Sequence, residues 1–512
     1  MSYRLTLLSG YILLYTTLAV FAVLAYILLA CRRKFMQETS TDAQQDFYAA
    51  RRRFTWPWIG MSYFASVMGS WVFFAMPEVG TFLGWWGIIG YAVGCVAPLA
   101  VILIIGAKLR EQLERTVGPD KGYAATDWIF MRFGRPIQVY VVLVSILIMW
   151  ISIVSEYTAV GQVVEMFTGI PSWLTCLSVA FVTLSYTLLS GLPLSILTDM
   201  TQGMAAVGLI IFAVIVTSTK VVISAPNWTT VANWSSLGFQ SLIVLILATL
   251  SAELLDMAVW QRVWAAKDDL NLRLGLLLGG VLVFFILMGF GVLGMVAEAQ
   301  DRARAVPHLT TVPYTKALAF FDLLEALPGK AIGCVVVLSV CLTTSSVDTV
   351  QSALLSVFAA EFVKRRWSLH WARVLLLMMN VPAVVLAMSQ MSMISLFLIG
   401  DLVAATVCLP VFCGLHSAVT ALAVVSGVIA GNLTILVCGW SWYGTFVGGF
   451  RMYVLPGGLY SSMAMTVFLA VMLSSLLVTL GVSVIQRKLF PATEGFLANG
   501  RYVASQELAL NK

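Results

Sequence analysis

Charge is what this sequence lacks. Only 11% of its 512 residues are Asp, Glu, Lys or Arg, against about 25% in an ordinary soluble domain. Hydrophobic residues make up 60% and mean hydropathy is +0.94, so the chain is that of an integral membrane protein. Histidine is also scarce: His308, His370 and His416 are too scattered for a catalytic or metal-binding set. The eight cysteines contain no CxxC pair and lie in or beside apolar runs, which disfavours a disulfide framework or a metal site. No nucleophile–base spacing is present, so an enzyme is not expected. Apolar runs without polar alternation exclude a membrane β-barrel. The first apolar run is too long for a signal peptide, and its basic residues follow it. It reads as a spanning helix.

At roughly 20 apolar residues per span, the chain holds about thirteen transmembrane helices, and the fold class is all-α. Residues 1–55 carry the first helix and a basic loop, 56–220 helices two to six, 236–414 helices seven to eleven, 415–485 two more helices, and 486–512 a tail. Of 30 Lys and Arg, seven (Arg4, Lys220, Arg302, Arg304, Lys316, Lys330 and Arg451) fall on one side and the other 23 on the opposite side, counting Arg262 at the membrane edge. The positive-inside rule therefore predicts the N-terminus outside and the C-terminus in the cytoplasm, and the plasma membrane is the expected location. The net charge of +6 is explained by this placement and does not imply nucleic acid. Glycosylation sequons at Asn227 and Asn233 share one predicted outside loop, whereas that at Asn432 lies within an apolar run.

The second span, 56–80, is a poor helix. Gly60, Ser62, Ser66, Gly69 and Ser70 crowd its middle, with Pro77, Glu78 and Gly80 near its far end. Small residues permit close packing, and they also permit a break. Opened backbone inside a bilayer survives only where it lines a cavity or binds something. Several carboxylates remain within spans: Glu78, Glu156, Asp199, Glu253, Asp256, Asp348 and Asp401. Each costs a few kcal/mol unless paired or hydrated. Asp199 and Asp256 fall near predicted helix ends, where an interfacial position would relieve them. The ninth span carries Thr343, Thr344, Ser345, Ser346, Asp348 and Thr349. Such hydroxyls commonly bond the preceding turn or a neighbouring helix. They are also the ligands with which a hard cation replaces its water.

Four motifs in order over about residues 45–415 resemble the sodium:solute symporter family, which includes sodium/glucose, sodium/proline and urea/polyamine transporters. They are Asp46-Phe-Tyr-Ala-Ala-Arg-Arg-Arg, Ser190-Gly-Leu-Pro through Thr198-Asp199 to Gln202, Asp256-Met-Ala-Val-Trp-Gln261-Arg262, and Ser345-Ser346-Val-Asp-Thr349. The resemblance implies two inverted five-helix repeats, each opening on a broken helix, and alternating-access symport of sodium with a small polar organic solute. The repeat itself is not visible in the sequence, and 236–262 offers only Gly238 as a mark of a break.

The resemblance places the main sodium site on the carbonyls of Ala65, Met68 and Leu342 and the hydroxyls of Ser345 and Ser346. A one-residue slip would bring in Thr344. A second site, present in some members, would use Ser66, Asp199 and Thr349. Asp348 departs from the family pattern, which has a hydroxyl there, and suits either extra charge or a coupling proton. The positions that hold sugar in one branch are Ala252 and Glu253, and Val67 stands where proline transporters have an aspartate, so neither substrate is expected. Trp71, Glu253, Asp256, Asp348 and Asp401 are the candidates for substrate binding or coupling, with urea, a polyamine, an amino acid or a similar solute as cargo. No organic cofactor is expected. Proton coupling and a non-transporting sensor are the alternatives.

Overall fold

The computed structural model describes residues 5–36, 50, 52–117, 125–219, 225–303, 316–324, 327–364 and 369–489. Residues 46–49 and 51 of the Asp46 motif, His308 and the tail beyond residue 489 lie outside them. Among the described residues every regular element is helical, apart from one isolated bridge between Phe54 and Ala266. Twelve helices among the described residues are long and apolar enough to cross a membrane.

After α1 (Leu7–Met36) comes α2 (Trp56–Val67), then α3 (Val72–Val117) with 46 residues. At 1.5 Å per residue a straight α3 would run about 69 Å, twice a bilayer core of roughly 30 Å. It does not run straight. Gly84 adopts φ 58°, ψ −145°, a conformation that only glycine takes readily, and the chain reverses there. The Trp71 and Tyr91 rings consequently meet at 5.5 Å, and Tyr63 donates to the Cys95 carbonyl. Counting the two limbs of α3 separately turns the twelve helices into thirteen passes (12 + 1), as the sequence predicts.

The order of elements then repeats. The first set is the broken helix, the second limb of α3, the short α4 (Ala125–Phe133), α5 (Arg135–Thr168), α6 (Ser172–Ser190) and α7 (Leu192–Ser218). Past the short α8 (Ala225–Val231), the second set is α9 and α10 (Ser236–Glu253 and Met257–Ala265), α11 (Asp269–Asp301), the short α12 (Ala319–Leu324), α13 (Gly329–Lys364), α14 (Leu369–Ala387) and α15 (Met393–Cys413). Corresponding helices match in length: 34 and 36 residues for α5 and α13, 19 and 19 for α6 and α14. Five passes is an odd number, so the second set enters the bilayer from the opposite face. The bundle closes with α16 (Ala421–Tyr443), α17 (Phe446–Arg451) and α18 (Ser462–Leu489).

Two features position the site. First, α13 is 89% buried over its apolar window, against 28% for α1, α14 and α16, so the helix carrying the hydroxyl cluster is central. Second, glycines draw α11 onto the first broken helix. A Cβ on Gly279 would lie 2.8 Å from the Gly60 carbonyl, and one on Gly294 would overlap the Pro77 backbone. Gly60 and Gly80 therefore serve close packing and do not break the helix. At one end of the bundle the segment before α2 pairs with the C-terminal end of α10 and the residues just beyond it. The Arg52, Arg53 and Phe54 amides donate to the Trp264 and Ala265 carbonyls at 3.0–3.1 Å, and Lys267 N–H returns to the Phe54 carbonyl at 2.9 Å.

Candidate functional site

The first break occupies Met68 to Trp71. Met68 is extended (φ −82°, ψ 99°), and its N–H makes the last α2 bond, to Phe64. The first turn of α3 then closes by tight three-residue bonds, Val72 to Gly69 and Phe73 to Ser70. Among the described residues no amide donates to the carbonyls of Ala65 or Met68. The break is held from outside. Glu156 on α5 accepts from the Ser70 amide at 2.9 Å and from the Thr343 hydroxyl at 3.0 Å. A carboxylate here also suits the positive end of α3. Ser70 Oγ bonds the Ser339 carbonyl at 2.7 Å and Thr343 Oγ1 at 2.6 Å. The other Glu156 oxygen, Oε1, has no partner and fills the space where a Cβ on Gly69 would stand.

The second break, Leu254 to Asp256, is local. Asp256 caps α10 by accepting from the Ala258 amide at 2.7 Å, the ordinary N-cap geometry. Trp260 donates its indole N–H to the Leu254 carbonyl at 2.9 Å.

From α10, Arg262 reaches into the protein. It was expected at the membrane edge, but it is fully buried and pairs with an equally buried Asp199 at 3.2 Å. Asp199 is thus relieved by a buried pairing with Arg262. The Asp199 carboxylate also accepts from Ser62 at 2.6 Å, Ser345 at 3.0 Å and Thr349 at 3.2 Å. Leu342, Ser345, Ser346 and Thr349 share one face of α13 by their i, i+3, i+4, i+7 spacing. Thr344 bonds back to Val340 and Cys341. Of the second set, Asp199 and Thr349 come together. Ser66 does not join them: it donates to the Tyr63 carbonyl, and Ser62 takes the place beside Asp199. Asp348 points elsewhere, accepting from Thr187 at 2.5 Å and Thr198 at 3.3 Å.

Between the two breaks lies a cavity of about 100 Å³. Ser66, Trp71, Glu253, Asp256, Ser346 and Asp401 all line it, so four of the five candidates for substrate binding or coupling converge; the fifth, Asp348, is not among the lining residues. The walls add Glu156, Tyr91 and Phe397. Trp71 spends its indole N–H on the Val67 carbonyl. Its ring lies 5.5 Å from both Tyr91 and Phe397. Sequence reasoning noted Glu156 as a carboxylate within a span without assigning it to the site, and it missed Arg262. The signal for Glu156 was its mid-helix position on α5, since an ionisable residue at that depth is a functional candidate by default.

A curated relative, a spermidine transporter of Candida albicans, is 25% identical over 413 residues, covering 79% of this chain and 77% of that protein. Two solved structures share the fold. One is a Na+-coupled sialic acid symporter in a substrate-bound, outward-open state (TM-score 0.70, 16% identity, 93% of this chain and 97% of that one). The other is a nucleobase–cation symport family transporter, closed with bromovinylhydantoin bound (TM-score 0.56, 11% identity, 90% and 99%). Residues 47–430 match the sodium:solute symporter family, and with four motifs in order, two broken helices and a cavity between them, the chain belongs to that family and is a multi-pass secondary transporter.

Proposed function

We propose that the protein is a sodium-driven symporter of a small polar organic solute, with its N-terminus outside and its C-terminus in the cytoplasm of the plasma membrane. The observation that carries the reading is the pair of carbonyls, Ala65 and Met68, that receive no backbone donor. They lie at the end of a helix whose Ser62 shares the Asp199 carboxylate with Ser345. With Leu342 and Ser346 these groups make a five-oxygen site joining the first broken helix to α13. Sodium bound there draws the two elements together and closes them over a solute in the cavity. When they separate, the carbonyls part from the hydroxyls and sodium leaves. Asp199 and Thr349 supply a second cation position, which the Arg262 guanidinium fills in this structure.

The spermidine-transporting relative supports a nitrogenous solute. A proton as coupling ion is the second reading, favoured by Asp348, a buried carboxylate whose bonded partners are hydroxyls. Uptake of labelled solutes by proteoliposomes, with a sodium gradient or a pH gradient imposed separately, tests both. Accumulation driven by the pH gradient alone would overturn sodium coupling.

A further inference from the structure

A second cavity, of about 340 Å³, lies at the side of the bundle where α1, α7 and α13 meet. Leu13, Leu209, Gly333, Cys334 and Val337 line it. Lys330 is its one charged lining residue, and all the others are Leu, Val, Gly or Cys. The groove marks an exception in α13. From Ala331 to Ala360 every residue of that helix is buried except Cys334 and Val337, so over this stretch the central helix meets the bilayer only here. Gly333 keeps the floor of the groove low: a Cβ there would meet nothing nearer than the Leu13 side chain, at 3.4 Å.

The groove has the depth of one leaflet. Its rim is set by Lys330, the second residue of α13, where an apolar span begins. From Gly329 to Val337 the helix rises about 12 Å at 1.5 Å per residue, which stays within half of a hydrocarbon core of roughly 30 Å. An apolar hollow at that depth, left unfilled, costs its lining the dispersion contacts it would otherwise make, and it offers water no polar partners. A hydrocarbon chain restores those contacts. Lys330 is exposed and is held by no ion pair with a described residue, so its ammonium can extend to the interface and meet a negative group. A sterol brings only a hydroxyl to that level and a diacylglycerol only esters, whereas a phospholipid carries a phosphate directly above its chains. We propose that this groove binds a phospholipid, with one acyl chain between α1, α7 and α13 and the phosphate on Lys330. The site does not depend on which ion or solute the protein carries.

The test is native mass spectrometry of the full-length protein, freed of lipid in detergent and titrated with phosphatidylglycerol. Diacylglycerol with the same chains, cholesterol and inorganic phosphate are run in parallel. One phosphatidylglycerol is expected to bind more tightly than any further lipid, and inorganic phosphate is expected not to displace it. Lys330→Gln should weaken that first binding about fivefold, the factor that about 1 kcal/mol for a lysine at the membrane surface represents, and should leave diacylglycerol binding unchanged. Gly333→Leu fills the groove from α13 and Leu209→Trp fills it from α7. Each should abolish the first binding event, and cooperative thermal unfolding close to that of the unsubstituted protein shows that the variant folds. A first binding event that survives both groove-filling variants would overturn the groove as the site. Phosphatidylglycerol held no more tightly than diacylglycerol or cholesterol, displaced by inorganic phosphate, or unaffected by Lys330→Gln would overturn the phospholipid as its occupant.

Discussion

The two broken helices solve one problem by different means. At the first, the freed amide of Ser70 is taken by Glu156, and Ser70 itself is tied to Ser339 and Thr343. These partners come from α5 and α13, some 86 to 273 positions away in the chain. At the second, Asp256 and Trp260 close the gap within six residues. The first break therefore exists only in the assembled protein and senses the helices around it, whereas the second is written into its own segment. Substitutions at the first break should therefore be felt by the distant helices that hold it, whereas loss of the Asp256 cap should act first on its own segment.

The largest expected effect tests the first break directly. Gly69→Ala places a methyl group inside the Glu156 carboxylate, and the backbone there cannot withdraw while Ser70 remains bonded. Transport should be lost completely, with a fall in thermal stability; ordinary uptake by this variant would mean that the break is not clamped by Glu156. Next comes the link from the second break to α7. Arg262→Met leaves Asp199 buried without its cation, and such one-sided losses cost about 3–5 kcal/mol. Adding Asp199→Asn should restore most of the lost melting temperature, and a double variant no more stable than Arg262→Met would argue against the pairing.

Replacing both Ser345 and Ser346 by Ala removes the only side-chain oxygens of the proposed main sodium site. By analogy with other broken charged contacts the cost is on the order of 2–4 kcal/mol, or roughly 30- to 700-fold in sodium affinity. Saturating sodium should recover solute binding, because linkage couples the two sites without merging them. Unchanged sodium dependence would shift the coupling ion towards a proton. The smallest effect belongs to the second break. Asp256→Ala removes an N-cap worth about 1 kcal/mol, to be read as a small shift in thermal unfolding. Asp256→Asn keeps the acceptor and should be nearly silent in stability. A large shift for Asn would show that the charge matters there, not the cap.

That contrast also explains what was legible in the sequence. The first break announces itself through Gly69, Ser66 and Ser70, because a chain that must admit a carboxylate against its backbone needs a residue without a side chain. The second was unmarked by glycine. Its signal was the polar residue that opens α10, Asp256, which is a helix-start sign of the most ordinary kind. Gly238, the one glycine in that span, sits near the other end, where its amide is taken by Ser235. Thirteen passes could be counted from apolar runs, since length and hydropathy are local properties. The repeat could not, because it resides in the order and lengths of elements and not in their residues. Arg262 was misplaced for a related reason: a charge beside an apolar run looks the same at an interface and in a buried pair, and only Asp199, 63 positions earlier, distinguishes the two.

The pairing of residues 52–54 with 264–267 is made by main-chain groups. The groups that make this latch survive a side-chain replacement, so the ends of both broken helices stay fastened together through the backbone itself. Only the loss of an amide undoes it, and proline is the residue that lacks one. The short connection ahead of α2 thus ties the end of one broken helix to the end of the other.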